Sequence, residues 1–179
     1  MFNLKFKNKT KFKNEKGFSL IEVLFVIGII SLLSSVILTN MNDARKMGRD
    51  GKRLIDMKEI QKALEFYYDE NGEYPDSDGD GCGGWDVGNR NLSFMSGGLG
   101  QAMPNPPEDS VGADDCSGYR YYKYSAGFSG CDISKGDFYV LGVTDMESSN
   151  NPHPKSIGWS CPDRDWQEEM DWVVGGFEN

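Results

Sequence analysis

Residues 18 to 38 read FSLIEVLFVIGIISLLSSVIL, with Glu22 the single charge in the run. As a helix these 21 residues span about 31 Å at 1.5 Å per residue, close to the hydrocarbon thickness of a bilayer. The run is therefore long enough to cross a membrane once. Ahead of it, residues 1 to 17 carry six lysines (Lys5, Lys7, Lys9, Lys11, Lys13 and Lys16) against one acid, Glu15. Such a basic flank on an apolar helix predicts that the N-terminus stays in the cytoplasm and the bulk of the chain lies outside. An ordinary secretory signal has a shorter apolar region followed by an A-x-A-like cleavage site. In this chain the small residue, Gly17, stands before the apolar run instead.

The junction Lys16-Gly17-Phe18-Ser19-Leu20-Ile21-Glu22-Val23 resembles the recognition sequence of type IV prepilins and of type II secretion pseudopilins. The resemblance implies cleavage after Gly17 by a prepilin peptidase and N-methylation of the new terminus, Phe18. It also places a glutamate, Glu22, at the fifth mature position, where family members carry one. An ionisable side chain inside a membrane span costs about 2.5 kcal/mol or more unless paired. In the resembling family the Phe18-equivalent amine of the adjoining subunit offsets that cost and sets the axial register of the filament. Gly28, Ser31, Ser34 and Ser35 recur at near-helical spacing and permit close approach of neighbouring helices. Many relatives place a proline about 22 residues into the mature helix, where this chain has Thr39, and its first proline is Pro75. Any local melting of the helix in a filament would then rest on Gly28, Gly51 or the polar run around Asn40 and Asn42.

Beyond the apolar run, Met47, Leu54, Met57, Ile60, Leu64 and Tyr67 form one stripe of an amphipathic helix. Arg45, Lys46, Arg49, Lys52 and Arg53 read as a solvated basic face. The helix is expected to stop at Asn71-Gly72, ahead of Tyr74-Pro75. Residues 76 to 118 are rich in glycine, aspartate, asparagine and proline and read as loops, with a short helix around Leu92 to Met95. Tyr119 to Ser125 and Phe138 to Thr144 read as strands joined by a wide glycine-rich connection. Their Y-x-Y and Y-x-L patterns resemble the hairpin that packs on the pilin helix. The tail from Gly158 to Phe177 holds Trp159, Trp166, Trp172, Val173 and Val174 and is expected to pack back on the sheet, with sugar stacking as the functional alternative for its tryptophans.

Cys82, Cys116, Cys131 and Cys161 all follow the apolar run, and four cysteines in an exported domain predict two disulfides. They lack the close pairs of a zinc knuckle, and His153 is the one histidine. If the strand from Tyr119 runs straight, Cys116 and Cys131 lie at its opposite ends, about 20 Å apart at 3.3 Å per residue, which favours other pairings. A folded-back loop would instead give Cys116–Cys131 and Cys82–Cys161. Asp76-Ser77-Asp78-Gly79-Asp80-Gly81 matches the first half of a calcium loop, making Asp76, Asp78 and Asp80 candidate ligands. No cofactor is otherwise expected. The second half fails, because Val87 stands where a bidentate glutamate belongs.

The chain has 19 basic and 28 acidic residues, and its acids lie almost wholly after the leader. That surface repels phosphate backbones, so direct nucleic-acid binding is not expected. Without a serine elbow or a histidine constellation there is no catalytic candidate, and the chain is not expected to be an enzyme. The expected fold class is α+β: a long N-terminal helix packed on a small antiparallel sheet. Its expected parts are a removed leader (1–17), a membrane or filament-core half-helix (18–39), an amphipathic half-helix (40–71) and an extracytoplasmic globular domain (72–179). The resemblance implies a filament subunit, either of a type IV pilus or of a secretion pseudopilus. Its partners would be the prepilin peptidase, identical or related subunits, and membrane assembly machinery. It would be an inner-membrane protein before assembly and part of an extracellular or periplasmic filament afterwards. A single-pass anchored binding module is the alternative from another class.

Overall fold

The computed structural model describes residues 17–77, 82–87, 94–107, 109, 118–144, 146–149 and 151–179, without the side chains of 36–40, 82, 96 and 97. One helix, α1 (Leu20–Asn71), dominates the described chain. It continues as a single helical element through Gly28 and Gly51, where the sequence left room for a break. It ends where Gly72 takes the left-handed conformation, φ 77°, and donates its N–H to the Tyr68 carbonyl at 2.7 Å. Glycine adopts that conformation without the Cβ clash other residues suffer, which is why the Asn-Gly pair marked the stop. The chain divides into two compact units, Met1–Met41 and Asn42–Asn179.

Within the second unit a four-stranded antiparallel sheet is built from β1 (Asp86–Val87), β2 (Tyr119–Tyr124), β3 (Phe138–Val143) and β6 (Trp172–Phe177), in the order β1-β2-β3-β6. A separate two-stranded ribbon joins β4 (Ser160–Cys161) to β5 (Arg164–Asp165). Tyr121 pairs with Leu141, and Leu141 with Val174, so strand alternation sends all three side chains to one face. That face packs on α1: Met57, Ile60 and Leu64 of the helix share a core with Tyr119, Tyr121, Tyr139, Leu141, Val143, Trp172 and Val174. The other face, with Tyr124, Phe138, Val140 and Val173, packs on Trp85, Trp166, Met170 and the cysteines. The domain is thus three layers deep: helix, sheet and an outer shell of C-terminal loops.

Two expectations about α1 need correction. Met47 is 64% exposed, because the sheet that buries the stripe reaches the helix only further along. Arg53 is 1% exposed and far from solvated, for reasons given below. The tail, expected to pack on the sheet, supplies a full strand of it: β6 pairs with β3 over Phe138–Phe177 to Val143–Trp172. Trp166 and Trp172 are core residues at 0% and 2% exposure. Gly175 makes this possible, since a Cβ there would lie 2.7 Å from the Tyr139 carbonyl oxygen and overlap the Trp159 ring.

Cys131 and Cys161 form a disulfide with a Cα–Cα distance of 5.0 Å, tying the loop after β2 to β4. This excludes the scheme that pairs Cys116 with Cys131 and Cys82 with Cys161. The reason is topological: the chain returns through β4 beside the turn at Cys131, a proximity that no local spacing reveals. Cys116 and the Cys82 side chain lie outside the described residues.

Candidate functional site

The start of α1 is capped by two residues. Ser19 precedes the helix and Glu22 lies in its first turn, and the two cap each other reciprocally. The Ser19 N–H donates to Glu22 Oε2 at 2.8 Å, and the Glu22 N–H donates to Ser19 Oγ at 3.3 Å. This is the S-x-x-E capping box, which satisfies two of the backbone donors a helix start leaves orphaned. A carboxylate at that end also meets the positive end of the helix dipole. The sequence reading assigned Glu22 an assembly role and overlooked the cap, although Ser19 and Glu22 stand three apart. The two roles are compatible, because an ionised carboxylate offers about four lone-pair sites and the cap occupies one.

Around Glu22 the surface is apolar on every side. Phe18 is 89% exposed, and Leu20, Ile21, Phe25 and Leu32 are all above 70%. Gly17 and Gly28 have open space where a side chain would stand. Ser31 and Ser34 donate their hydroxyls to the carbonyls of Ile27 and Ile30 at 2.7 Å, and Ser35 donates to that of Leu32 at 2.8 Å. These serines are consequently small residues with no outstanding demand for water, as suits an apolar medium. Among the described residues no helix is long and apolar enough to cross a membrane. The described apolar side chains of α1 run from Leu20 to Ser35, and the sequence expectation extended three residues further, to Leu38.

The other expected sites fare differently. Asp76 is exposed, with its carboxylate 3.4 Å from Lys123 Nζ, while Asp78 and Asp80 lie outside the described residues. Among the described residues no group of three or more metal-ligating side chains converges. His153 is buried and structural: its N–H donates to the Asp171 carbonyl at 2.6 Å, and its Nδ1 accepts from the Lys155 N–H at 3.1 Å.

A second polar constellation sits early in the globular unit. Arg53 donates through Nε to Asp109 and through Nη1 to Asp50, both at 2.9 Å. Asp50 in turn accepts from the Ser148 N–H at 2.7 Å, the Ser148 hydroxyl at 2.5 Å and the Glu147 N–H at 3.0 Å. Burial pushes the Asp50 carboxyl upward, but the hydrogen bonds from Ser148, Glu147 and Arg53 outweigh it and hold it below its ordinary value. Glu147 is held low as well, first by its hydrogen bonds from Arg49. Tyr119 donates to Asp56 at 2.5 Å, and burial together with that bond drives its phenol well above the usual range. The cluster clamps Asp109, Glu147 and Ser148 to α1. Asp50 and Arg53 stand three apart, the spacing of an intrahelical pair, and that signal was legible; Asp109 and Glu147 as their partners were not.

The described residues thus hold an exposed apolar stretch with a reciprocal cap at its start and, as a second unit, a helix segment packed on a sheet. Residues 12–38 match the family model described as the prokaryotic N-terminal methylation motif. The chain is 39% identical over 62 residues to the type IV wide pilus major component PilA4 of Thermus thermophilus, covering 35% of this chain and 47% of that protein. It is 29% identical over 68 residues to the type II secretion system core protein G of Vibrio cholerae, covering 38% and 47% of the two chains. The core protein G of Escherichia coli matches at 31% over 61 residues, 34% of this chain and 42% of that one. The chain thus spans somewhat less than half the length of the curated relatives it matches. No solved structure matches. Residues 12–38 are thus similar to the N-terminal methylation motif, and the relatives matched are a type IV pilus component and type II secretion core proteins.

Proposed function

We propose that this chain is a structural subunit of a type IV pilus-like filament, cut after Gly17 by a prepilin peptidase, methylated at Phe18 and polymerised through α1. The observation that carries this reading is the apolar half of α1, exposed all round, with one carboxylate at its start. A helix apolar on every side is stable only in lipid or among other helices. Before assembly it anchors the chain in the cytoplasmic membrane, with Glu22 close to the polar interface. In the filament Glu22 lies among apolar helices, where an unpaired charge is costly and the Phe18 amine of a neighbouring subunit is its natural partner. Further partners would be the same or related subunits and the assembly machinery of the membrane. The matches to core protein G support a second reading, a pseudopilin of a secretion apparatus, which uses the same chemistry in a shorter filament. The role is structural rather than enzymatic. Asp76, Asp78 and Asp80 stay candidate calcium ligands, to be tested by the effect of chelator on melting.

The test is N-terminal mass spectrometry of sheared surface filaments together with filament yield from variants. Methylated Phe18 should be the first residue, and bulky substitutions at Gly17 should leave the leader attached. Glu22→Ala and Glu22→Gln should each reduce filament yield at least about tenfold at equal membrane levels of subunit. Wild-type yield from both variants would overturn the assembly role, and material retaining residues 1 to 17 would overturn the processing. Long surface fibres favour the pilus, whereas fibres seen only under overexpression of a secretion system favour the pseudopilus.

A further inference from the structure

The outer face of the sheet carries a groove of about 290 Å³ lined by Trp85, Tyr122, Tyr124, Phe128 and Arg164 among others. Its wall is a row of rings: Tyr122 to Tyr124 and Tyr124 to Phe128 are each 4.6 Å between centroids. Trp85 stands edge-on to Tyr122 and Tyr124, 6.2 Å from both. Phe128 is 43% exposed, although the outer core beside it holds buried aromatic residues, so this ring is held at the surface rather than in the interior.

The polar groups in the groove are unevenly satisfied. Trp85 is 7% exposed, yet its indole N–H has no hydrogen-bond partner among the described residues, and neither does the Tyr122 hydroxyl. The Tyr124 hydroxyl accepts from Trp166 Nε1 at 3.3 Å and from Arg164 Nη1 at 3.4 Å, which leaves its own proton to donate. Three donors without a protein acceptor among the described residues, around one aromatic concavity, are open to acceptors supplied from outside. The cations, by contrast, are taken. Arg164 is bound at both ends to Glu169, at 2.7 and 2.8 Å, and Lys123 Nζ has the carboxylates of Glu73, Asp76 and Glu178 within 3.4 Å. The groove therefore has no free positive charge for a phosphate or carboxylate.

A ligand that presents an apolar C–H face to aromatic rings and neutral oxygens to N–H and O–H donors is a sugar ring. We infer that this groove binds a neutral pyranose unit of a glycan. The volume stands at the low end of ligand pockets, roughly 300 to 1,000 Å³, and suits one ring better than an extended oligomer. Sugar stacking, which the sequence allowed for the C-terminal tryptophans, thus falls to Tyr122 and Phe128, because Trp166 and Trp172 are sealed in the core and Trp159 packs against Phe138 and Phe177. The inference is independent of whether the chain polymerises.

The test is saturation-transfer NMR on the full chain in phosphocholine micelles, whose headgroups carry no sugar. The probes are methyl α-glucoside, methyl β-galactoside, N-acetylglucosamine and galacturonate. At least one neutral sugar should receive saturation on the C–H protons of one ring face. Phe128→Ala, at an exposed position, should weaken that binding about tenfold. Tyr122→Phe, which keeps the ring and removes the donor, should weaken it several-fold. Phe66→Ala, at a ring 53% exposed on α1, should leave it unchanged. No saturation of any neutral sugar, equal binding by the Phe128 and Phe66 variants, or preferential binding of galacturonate would each overturn the assignment.

Discussion

Residues 20–33 and 57–64 belong to the same helix, and both are rich in large apolar side chains. In the first stretch Leu20, Ile21 and Leu32 are 79%, 74% and 71% exposed, whereas in the second Met57, Ile60 and Leu64 are all 0% exposed. Charges add to the contrast: Glu22 stands in the exposed stretch, and Arg53 is sealed just ahead of the buried one. Residue type alone did not set either outcome. Burial requires a partner surface, and the sheet offers one to 57–64, while 20–33 has none among the described residues. Exposure of the first stretch is what the proposed packing in lipid or against other copies would remove.

The sharpest way to break this contrast is to remove a buried charge. Arg53→Ala leaves Asp50 and Asp109 facing each other without their shared cation and should cost about 3 to 5 kcal/mol of globular stability. Processing of the N-terminus should be untouched. Denaturant unfolding of the micelle-bound chain measures this, and a loss below about 1 kcal/mol would mean the cluster is not structural.

Next in size is a matched pair of truncations. Leu64→Ala should cost about 2 to 5 kcal/mol, since it leaves a cavity between helix and sheet. Leu32→Ala, 71% exposed, should leave the same unfolding curve unmoved and lower filament yield instead. If both variants destabilise the head equally, the two stretches are not as distinct as their exposure indicates.

The disulfide contributes on the order of 2 to 4 kcal/mol, so Cys131→Ser should lower stability by that amount. Non-reducing peptide mapping should recover Cys131 joined to Cys161, and we expect Cys82 joined to Cys116 as the second bridge. Recovery of Cys116 joined to Cys131 would contradict the described fold.

The smallest effect is one of pH. Asp50 and Glu147 are held below their ordinary carboxyl values in the folded state. Their stabilisation is fully present above the unfolded carboxyl range, near pH 4, and is lost as pH falls through the lower folded values. Melting temperature followed from pH 6 to pH 2 should fall below about pH 4, and Asp50→Asn should flatten that fall.

Part of this was legible in the sequence, because the informative signals were local. The apolar run, the Asn-Gly stop, the stripe at Met57, Ile60 and Leu64, and the alternating aromatic strands at Tyr119 and Phe138 each follow from short-range periodicity or turn chemistry. The capping box is equally local, since Ser19 and Glu22 stand at the S-x-x-E spacing. Enclosure of Arg53 is not legible, because a run of charges is usually solvated and two of its three acidic partners, Asp109 and Glu147, are 56 and 94 residues away.

By itself the sequence determined that an apolar helical run follows a basic stretch, that Glu22 is the single charge within it, and that an α+β unit comes after. Periodicity and charge placement decide these things within a few turns of backbone. Tertiary structure alone decided that the tail becomes the fourth strand, that Cys131 meets Cys161, that Arg53 is enclosed, and that Trp85 and Phe128 share a groove. Those outcomes depend on which distant segments meet across the sheet, and pairing over that distance leaves no periodic trace in either partner.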